Sequence, residues 1–126
     1  MFDQLKGLSA LAGLLKDLPR IRAKVESLRR ELGEVRVTGE SGGGAVRATA
    51  DGLMRIMSVE VDPTILGRLV DPSSPGDRTL AEQLIAEAVN GALIAARERV
   101  DRELADAAAE LGLPIPAGAL GGLLKP

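Results

Sequence analysis

Apolar residues recur at Leu11, Leu14, Leu18, Ile21, Val25, Leu28 and Leu32, with spacings that alternate between three and four. That is the seam of a helix with one apolar stripe, and it predicts a long N-terminal helix. Pro19 falls inside the seam. Either Asp17 caps a new helix with Pro19 in its first turn, or one helix kinks at the proline. The period then drops to two. Val35 and Val37 alternate with Arg36 and Thr38, as in a strand with one buried face. Gly42, Gly43 and Gly44 permit positive φ and a tight reversal. Val46, Ala48 and Ala50 alternate with Arg47, Thr49 and Asp51 in a second strand, and Asp51-Gly52 is a dipeptide favoured in two-residue hairpins. A third strand is expected from about Leu53 to Val61, with Met57, Val59 and Val61 on one face. Ile56 falls off that alternation, so either the other face is partly covered or a bulge sits there.

Beyond the strands, Asp62-Pro63 reads as an N-cap followed by proline at the first helical position, starting a short helical turn. The run from Asp71 to Asp77, rich in Pro and Ser, reads as a loop. Thr79-Leu80-Ala81-Glu82 has the form of a capping box and predicts a second long helix from 79 to 111, ended by Gly112 and Pro114. Its Ala88, Ala92, Ala96 and Val100 form one i,i+4 row, and the small residues Gly91 and Ala95 beside it would let the helix lie close to a sheet. The expected fold class is α+β: long N-terminal helix, three-stranded antiparallel meander, short helical turn, long C-terminal helix. The expected organisation is a single domain over 1–112, made of an N-terminal helical arm (1–33), a sheet (34–62), a short helix and loop (63–78) and the long helix (79–111). A mobile tail rich in Pro and Gly (113–126) follows.

Composition narrows the function classes. The chain has 126 residues, 45% of them hydrophobic, enough to bury one core. Phe2 is the single aromatic, and there is no His, Cys, Trp or Tyr. The commonest catalytic bases, thiol nucleophiles and zinc ligands are therefore missing, and no paired carboxylate motif stands out. The expectation is a protein that is not an enzyme and carries no cofactor and no metal. The near-absence of aromatics removes base stacking as a binding mode and argues against readers of single strands. The glycine run is no phosphate cradle, since it lacks Gly-Lys-Ser/Thr and leads into a strand rather than a helix. The apolar run from Gly7 to Leu15 is too short to span a bilayer and lacks a strongly basic leader and a small-residue cleavage site, so it reads as a docking helix in the cytoplasm.

The net charge of −2 is acidic overall, so any binding to nucleic acid must rest on local charge. From 16 to 32 the first helix carries Lys16, Arg20, Arg22, Lys24, Arg29 and Arg30 against Asp17, Glu26 and Glu31, a net +3. One reading is a solvated face with helix pairs, because Glu26 lies four residues from both Arg22 and Arg30. The other is a positive stripe that touches phosphates. The last helix is the opposite, with three Arg and seven Asp or Glu over 79–111, a net −4.

The central residues carry a resemblance. Val37-Thr38-Gly39-Glu40-Ser41-Gly42-Gly43-Gly44, Val46-Arg47-Ala48-Thr49, Gly52, and Val59-Glu60-Val61-Asp62-Pro63-Thr64-Ile65-Leu66 resemble the YbaB/EbfC family of bacterial nucleoid-associated DNA-binding proteins. Met1-Phe2, Asn90 in an alanine-rich last helix, and Leu113-Pro114-Ile115-Pro116-Ala117-Gly118 extend the match to nearly the whole chain. The resemblance implies a homodimer paired through its sheet region, with long helices projecting like the arms of tweezers to hold DNA. Carried over by position, the DNA-binding residues would be Lys16, Arg20, Arg22, Lys24, Arg29 and Arg30 in the first helix and Arg97, Arg99 and Arg102 in the last. The chain departs from the family in its Leu- and Arg-rich first helix, its Pro72 and Pro75, its acidic last helix, and Val89 where members often carry an aromatic.

The expected function is binding of duplex DNA in the nucleoid, through backbone contacts with weak or no sequence preference. An alternative is an adaptor for a recombination or replication protein, with DNA contact incidental. A third reading lays Phe2, Leu5, Leu8 and Leu15 on a membrane surface; the sparse charge before Lys16 disfavours it, and no membrane partner is expected.

Overall fold

In the computed structural model, residues 12, 13 and 15–112 are described. The expected order of elements is present: helix α1 (Leu18–Glu34), strand β1 (Val37–Ser41), a 3₁₀ turn (Gly42–Gly44), strands β2 (Val46–Ala50) and β3 (Ile56–Val61), helix α2 (Pro63–Leu69) and helix α3 (Pro75–Glu110). Both strand pairs are antiparallel, and the sheet order is β1-β2-β3.

Pro19 lies in the first turn of α1, where its missing N–H costs no helical bond. Asp17 occupies the N-cap position without a side-chain capping bond; its carboxylate faces Arg20 instead, at 3.4 Å. Of the predicted seam, Leu28 and Leu32 are buried, Ile21 is half-buried, and Val25 and Leu18 are exposed. Leu11 and Leu14 lie outside the described residues, as do Phe2, Leu5, Leu8 and the tail from 113.

The sheet differs from expectation at its second reversal. Asp51-Gly52 does not form a two-residue hairpin, and β3 begins at Ile56 rather than Leu53. The cause is the Asp51 side chain, which is fully buried. Its Oδ1 accepts from the backbone N–H groups of Leu53 and Arg55, both at 2.9 Å, and its Oδ2 accepts from Arg55 Nε at 2.7 Å. These bonds wrap the chain around the carboxylate and hold Met54 at a φ of 63°. The suspected irregularity at Ile56 is a bulge: Ser58 pairs with Thr49 and Ile56 with Ala50, leaving Met57 as the extra residue. At the first reversal the glycine run behaves as expected, with φ of 60°, 66° and 95° at Gly42, Gly43 and Gly44.

Burial pushes the Asp51 carboxyl up, but the bonds from Arg55 and Leu53 outweigh it and hold the group below its ordinary range. The linkage follows from that direction. A carboxyl whose folded pKa is depressed adds stability that is fully present above its unfolded pKa, about 3.9. That stability drains away as pH falls through the folded value. Asp51→Ala also strands two backbone donors, so it is expected to cost about 2–4 kcal/mol at pH 7. Urea unfolding at pH 7 and pH 3 checks both, with a smaller gap between variant and wild type at the lower pH.

The two ends of α2 and α3 bear on the site's placement. Asp62 caps α2 as expected, its Oδ1 accepting from Thr64 N at 2.9 Å and Ile65 N at 3.1 Å. Helix α3 begins at Pro75, not at Thr79. Proline at the first position is pre-set for helix, and Asp77 in the first turn suits the helix dipole, so the helix nucleates a turn early. Thr79 is then interior, and its Oγ1 donates back to Pro75 O at 3.2 Å.

The 36 residues of α3 span about 54 Å, far more than the sheet can cover. Its N-terminal half lies over β1 and β2, with Leu84, Ala88, Ala92 and Ala96 packed on Ala45, Val46, Ala48 and Ala50. Ser41 Oγ donates to Leu84 O and ties β1 to the helix. Past Ala96 the helix leaves the sheet, and a second cluster joins Val100 and Ala107 to Leu28 and Leu32 of α1. Met54 touches both clusters.

Candidate nucleic-acid interface

Beyond the sheet, α1 and the C-terminal half of α3 run antiparallel as a two-helix arm. The sense of the pairing is given by Arg20 near the start of α1, whose Nη2 donates to Leu111 O at the end of α3 at 3.2 Å, and by Lys24, which pairs with Glu110. Eight of the nine basic residues picked out from sequence stand on these two helices: Arg20, Arg22, Lys24, Arg29 and Arg30 on α1, and Arg97, Arg99 and Arg102 on α3. Lys16 stands just ahead of α1, exposed.

The structure divides this set by what each side chain already touches. Lys24 Nζ lies 2.5 Å from Glu110 Oε2, and that carboxylate holds the ammonium above its ordinary pKa. Arg99 Nε donates to Glu103 Oε1 at 2.9 Å, one helical turn on. Arg20 bridges Asp17 and the C-terminal carbonyl of α3, where a cation suits the helix dipole. Arg22, Arg29, Arg30, Arg97 and Arg102 are exposed and have no ion-pair partner among the described residues. Glu26 lies within reach of Arg22 and Arg30 by helical spacing, but no pair forms with either, so the helix-pair reading does not account for these arginines. The acidic residues of α3 thus neutralise part of the arm and leave the rest open.

Two features escape a reading by sequence. The first is β3. Ile56, Met57, Val59 and Val61 are each between 37% and 47% exposed, although the matching residues of β2 are fully buried. Helix α3 sits toward β1 and barely reaches this edge strand. The alternation of the strand signalled an inward face; nothing local could show that its own chain leaves it bare. The second is a cleft of about 400 Å³ where α1, α3 and the Asp51 turn meet, lined by Val25, Leu28, Leu32, Leu53, Met54 and Leu104 among others, with Arg29 at its rim.

The protein is thus a two-helix arm on a small antiparallel sheet, basic on one helix and apolar along the sheet edge. The model of the YbaB/EbfC DNA-binding family matches residues 7–111, and the chain belongs to that family. A nucleoid-associated protein of Moorella thermoacetica is 34% identical over 108 residues, 86% of this chain and 97% of the relative. The nucleoid-associated protein Cphamn1_1179 of Chlorobium phaeobacteroides is 31% identical over 109 residues, 86% of this chain and 83% of the relative. The fold is also that of a solved structure, the uncharacterized protein HP0035 of Helicobacter pylori, with a TM-score of 0.55 and 23% identity over 83% of this chain and 92% of that one. Among the described residues no helix is long and apolar enough to cross a membrane.

Proposed function

We propose that this protein is a nucleoid-associated, non-enzymatic DNA-binding protein that acts as a homodimer and grips the backbone of duplex DNA with its helical arms. The observation that carries the reading is the set of exposed arginines on the arm with no ion-pair partner among the described residues, Arg22, Arg29 and Arg30 of α1 above all. Guanidinium groups bind phosphate bidentately and need no particular base, so backbone contact with little sequence preference is the chemistry they supply. Arg97 and Arg102 extend the surface onto α3, while Lys16 lies at its outer end. Lys24 and Arg20 act as struts between the two helices, and Arg99 is held by Glu103 on its own helix, so these three are not the primary phosphate contacts. Membership of the DNA-binding family and the nucleoid-associated names of the two relatives support the same assignment.

The dimer rests on β3. An edge strand presents unpaired N–H and C=O groups, and natural proteins protect such an edge with charge, proline or cover. Here Glu60 is the one charge on the strand, and four apolar side chains stand beside it. A second copy is the cover that the family resemblance implies.

Titration of a labelled duplex across salt tests the reading. Three α1 arginines from each of two protomers make about six phosphate contacts, so log Kd should climb with log salt at a slope of about 5, and affinity should fall about 10³-fold between 50 and 200 mM. Val59→Lys should yield a monomer by sedimentation and roughly halve that slope. A duplex affinity that is flat across salt sinks the proposal.

A further inference from the structure

The cleft at the base of the arm is not explained by phosphate binding. Its walls are Val25 and Leu28 with Leu32 on one side, Val100 and Leu104 on another, and the Gly52–Met54 turn as its floor. Among the described residues, Arg29 is the one charged residue in the lining. A small polar metabolite would find no converging hydrogen-bond groups there to orient it. An apolar side chain would find a fitted pocket, since Val25 is left 55% exposed and Leu53 37% exposed while the residues behind them are buried.

Helical spacing sets the character of the rim. Arg22, Val25 and Arg29 lie within one narrow stripe of α1, because steps of three, four and seven residues return to the same face. Arg29 therefore edges the apolar cleft, Arg22 stands about two turns back on the same stripe of α1, and neither has an ion-pair partner among the described residues. The groove between α1 and α3 is open at the surface, and an open hydrophobic groove is the kind of site into which an amphipathic helix lays its apolar face.

We infer that this cleft docks an acidic amphipathic helix of a partner protein. Leucine-type side chains at i and i+3 or i+4 of that helix enter between Val25, Leu53 and Leu104, and flanking carboxylates meet Arg22 and Arg29. The cleft side of α1 is distinct from the side that carries Arg30, but it shares Arg22 and Arg29 with the DNA reading. Partner and duplex therefore compete for the arm, and occupancy by one excludes full binding by the other.

The probe is a labelled, helix-stapled peptide with leucines at i, i+3, i+4 and i+7 and glutamates on the remaining face, followed by anisotropy against the full chain. Micromolar binding is expected, weakened about tenfold when the glutamates become glutamine. Val25→Asn and Leu53→Asn should each weaken it about tenfold while leaving duplex affinity within about twofold, so this result can stand or fall without the DNA reading. Amide shifts in NMR spectra should centre on Val25, Leu53 and Leu104, and excess duplex should displace the peptide. The proposal is overturned if the acidic and glutamine peptides bind alike, or if both asparagine variants bind as wild type does. It is equally overturned if those variants shift the monomer–dimer balance, which would show a second copy seated in the cleft.

Discussion

Replacing Arg22, Arg29 and Arg30 together by Glu is expected to lower duplex affinity at 100 mM salt by at least about 10³-fold, through the loss of some six counterion-releasing contacts per dimer. The estimate is a floor, because each substitution adds a negative charge as well as removing a positive one. The decisive comparison is with Lys24→Gln and Arg99→Gln. Those cations face Glu110 and Glu103 in the free protein, so any phosphate contact they made would first have to break an ion pair. Their loss should change affinity by less than about threefold and the salt slope by less than one unit. If the variants at 24 and 99 lose as much affinity as the triple reversal, the division of the arm into paired and open cations is wrong.

Folding should survive the reversal, which makes the result interpretable. Arg22, Arg29 and Arg30 are exposed, and no core cluster includes them. The reversal does place Glu at 22 and 30 four residues either side of Glu26, and like-charge pairs at that spacing cost about 0.2–0.5 kcal/mol each. A small drop in melting temperature is the expected side effect; a dimer that dissociates is not, since β3 is remote from all three positions in the chain and carries the proposed contact.

How much of this could be read from the chain depends on how local the cause is. The three strands, the cap at Asp62 and the buried alanine row of α3 follow from periodicity and turn chemistry, and all are present. The start of α3 slipped because two competing N-terminal signals lay four residues apart, Pro75 and Thr79, and the earlier one nucleates the helix. The second hairpin differs because Asp51, a turn residue by type, is buried, and its carboxylate organises the turn from inside. The basic arm was legible as composition but not as a site. Whether a given cation is open depends on Glu110 and Leu111, some 86 to 91 residues away from their partners Lys24 and Arg20, and no spacing rule reports a contact of that range. The bare face of β3 was hidden for the same reason: exposure is a property of where α3 lies, not of the strand.

Gly39→Val is expected to unfold the domain or remove most of its stability, a loss above about 4 kcal/mol from a total of about 5–15. A Cβ built at Gly39 lands inside contact distance of the backbone of Ala88, Gly91 and Ala92, and backbone cannot rotate aside as a side chain can. To admit it, α3 would have to lift from β1 and open the row Ala88, Ala92 and Ala96, all now fully buried. Overpacking of a side chain ordinarily costs 1–3 kcal/mol, roughly; displacing a helix from its sheet exposes the whole interface and exceeds that. Two other glycines supply the contrast that separates close approach from backbone freedom. Gly43 has open space around its Cβ position but a φ of 66°, so Gly43→Ala should cost only about 1 kcal/mol, the strain of a left-handed residue. Gly67 lies in α2 with open space and no positive φ, so Gly67→Ala should stabilise by up to about 1 kcal/mol. Chemical denaturation of the three variants should therefore rank Gly67→Ala above wild type, Gly43→Ala slightly below it, and Gly39→Val far below. A Gly39→Val protein that unfolds with the wild-type midpoint would mean that the helix does not rest on the strand at this point, and the placement of the arm relative to the sheet would go with it.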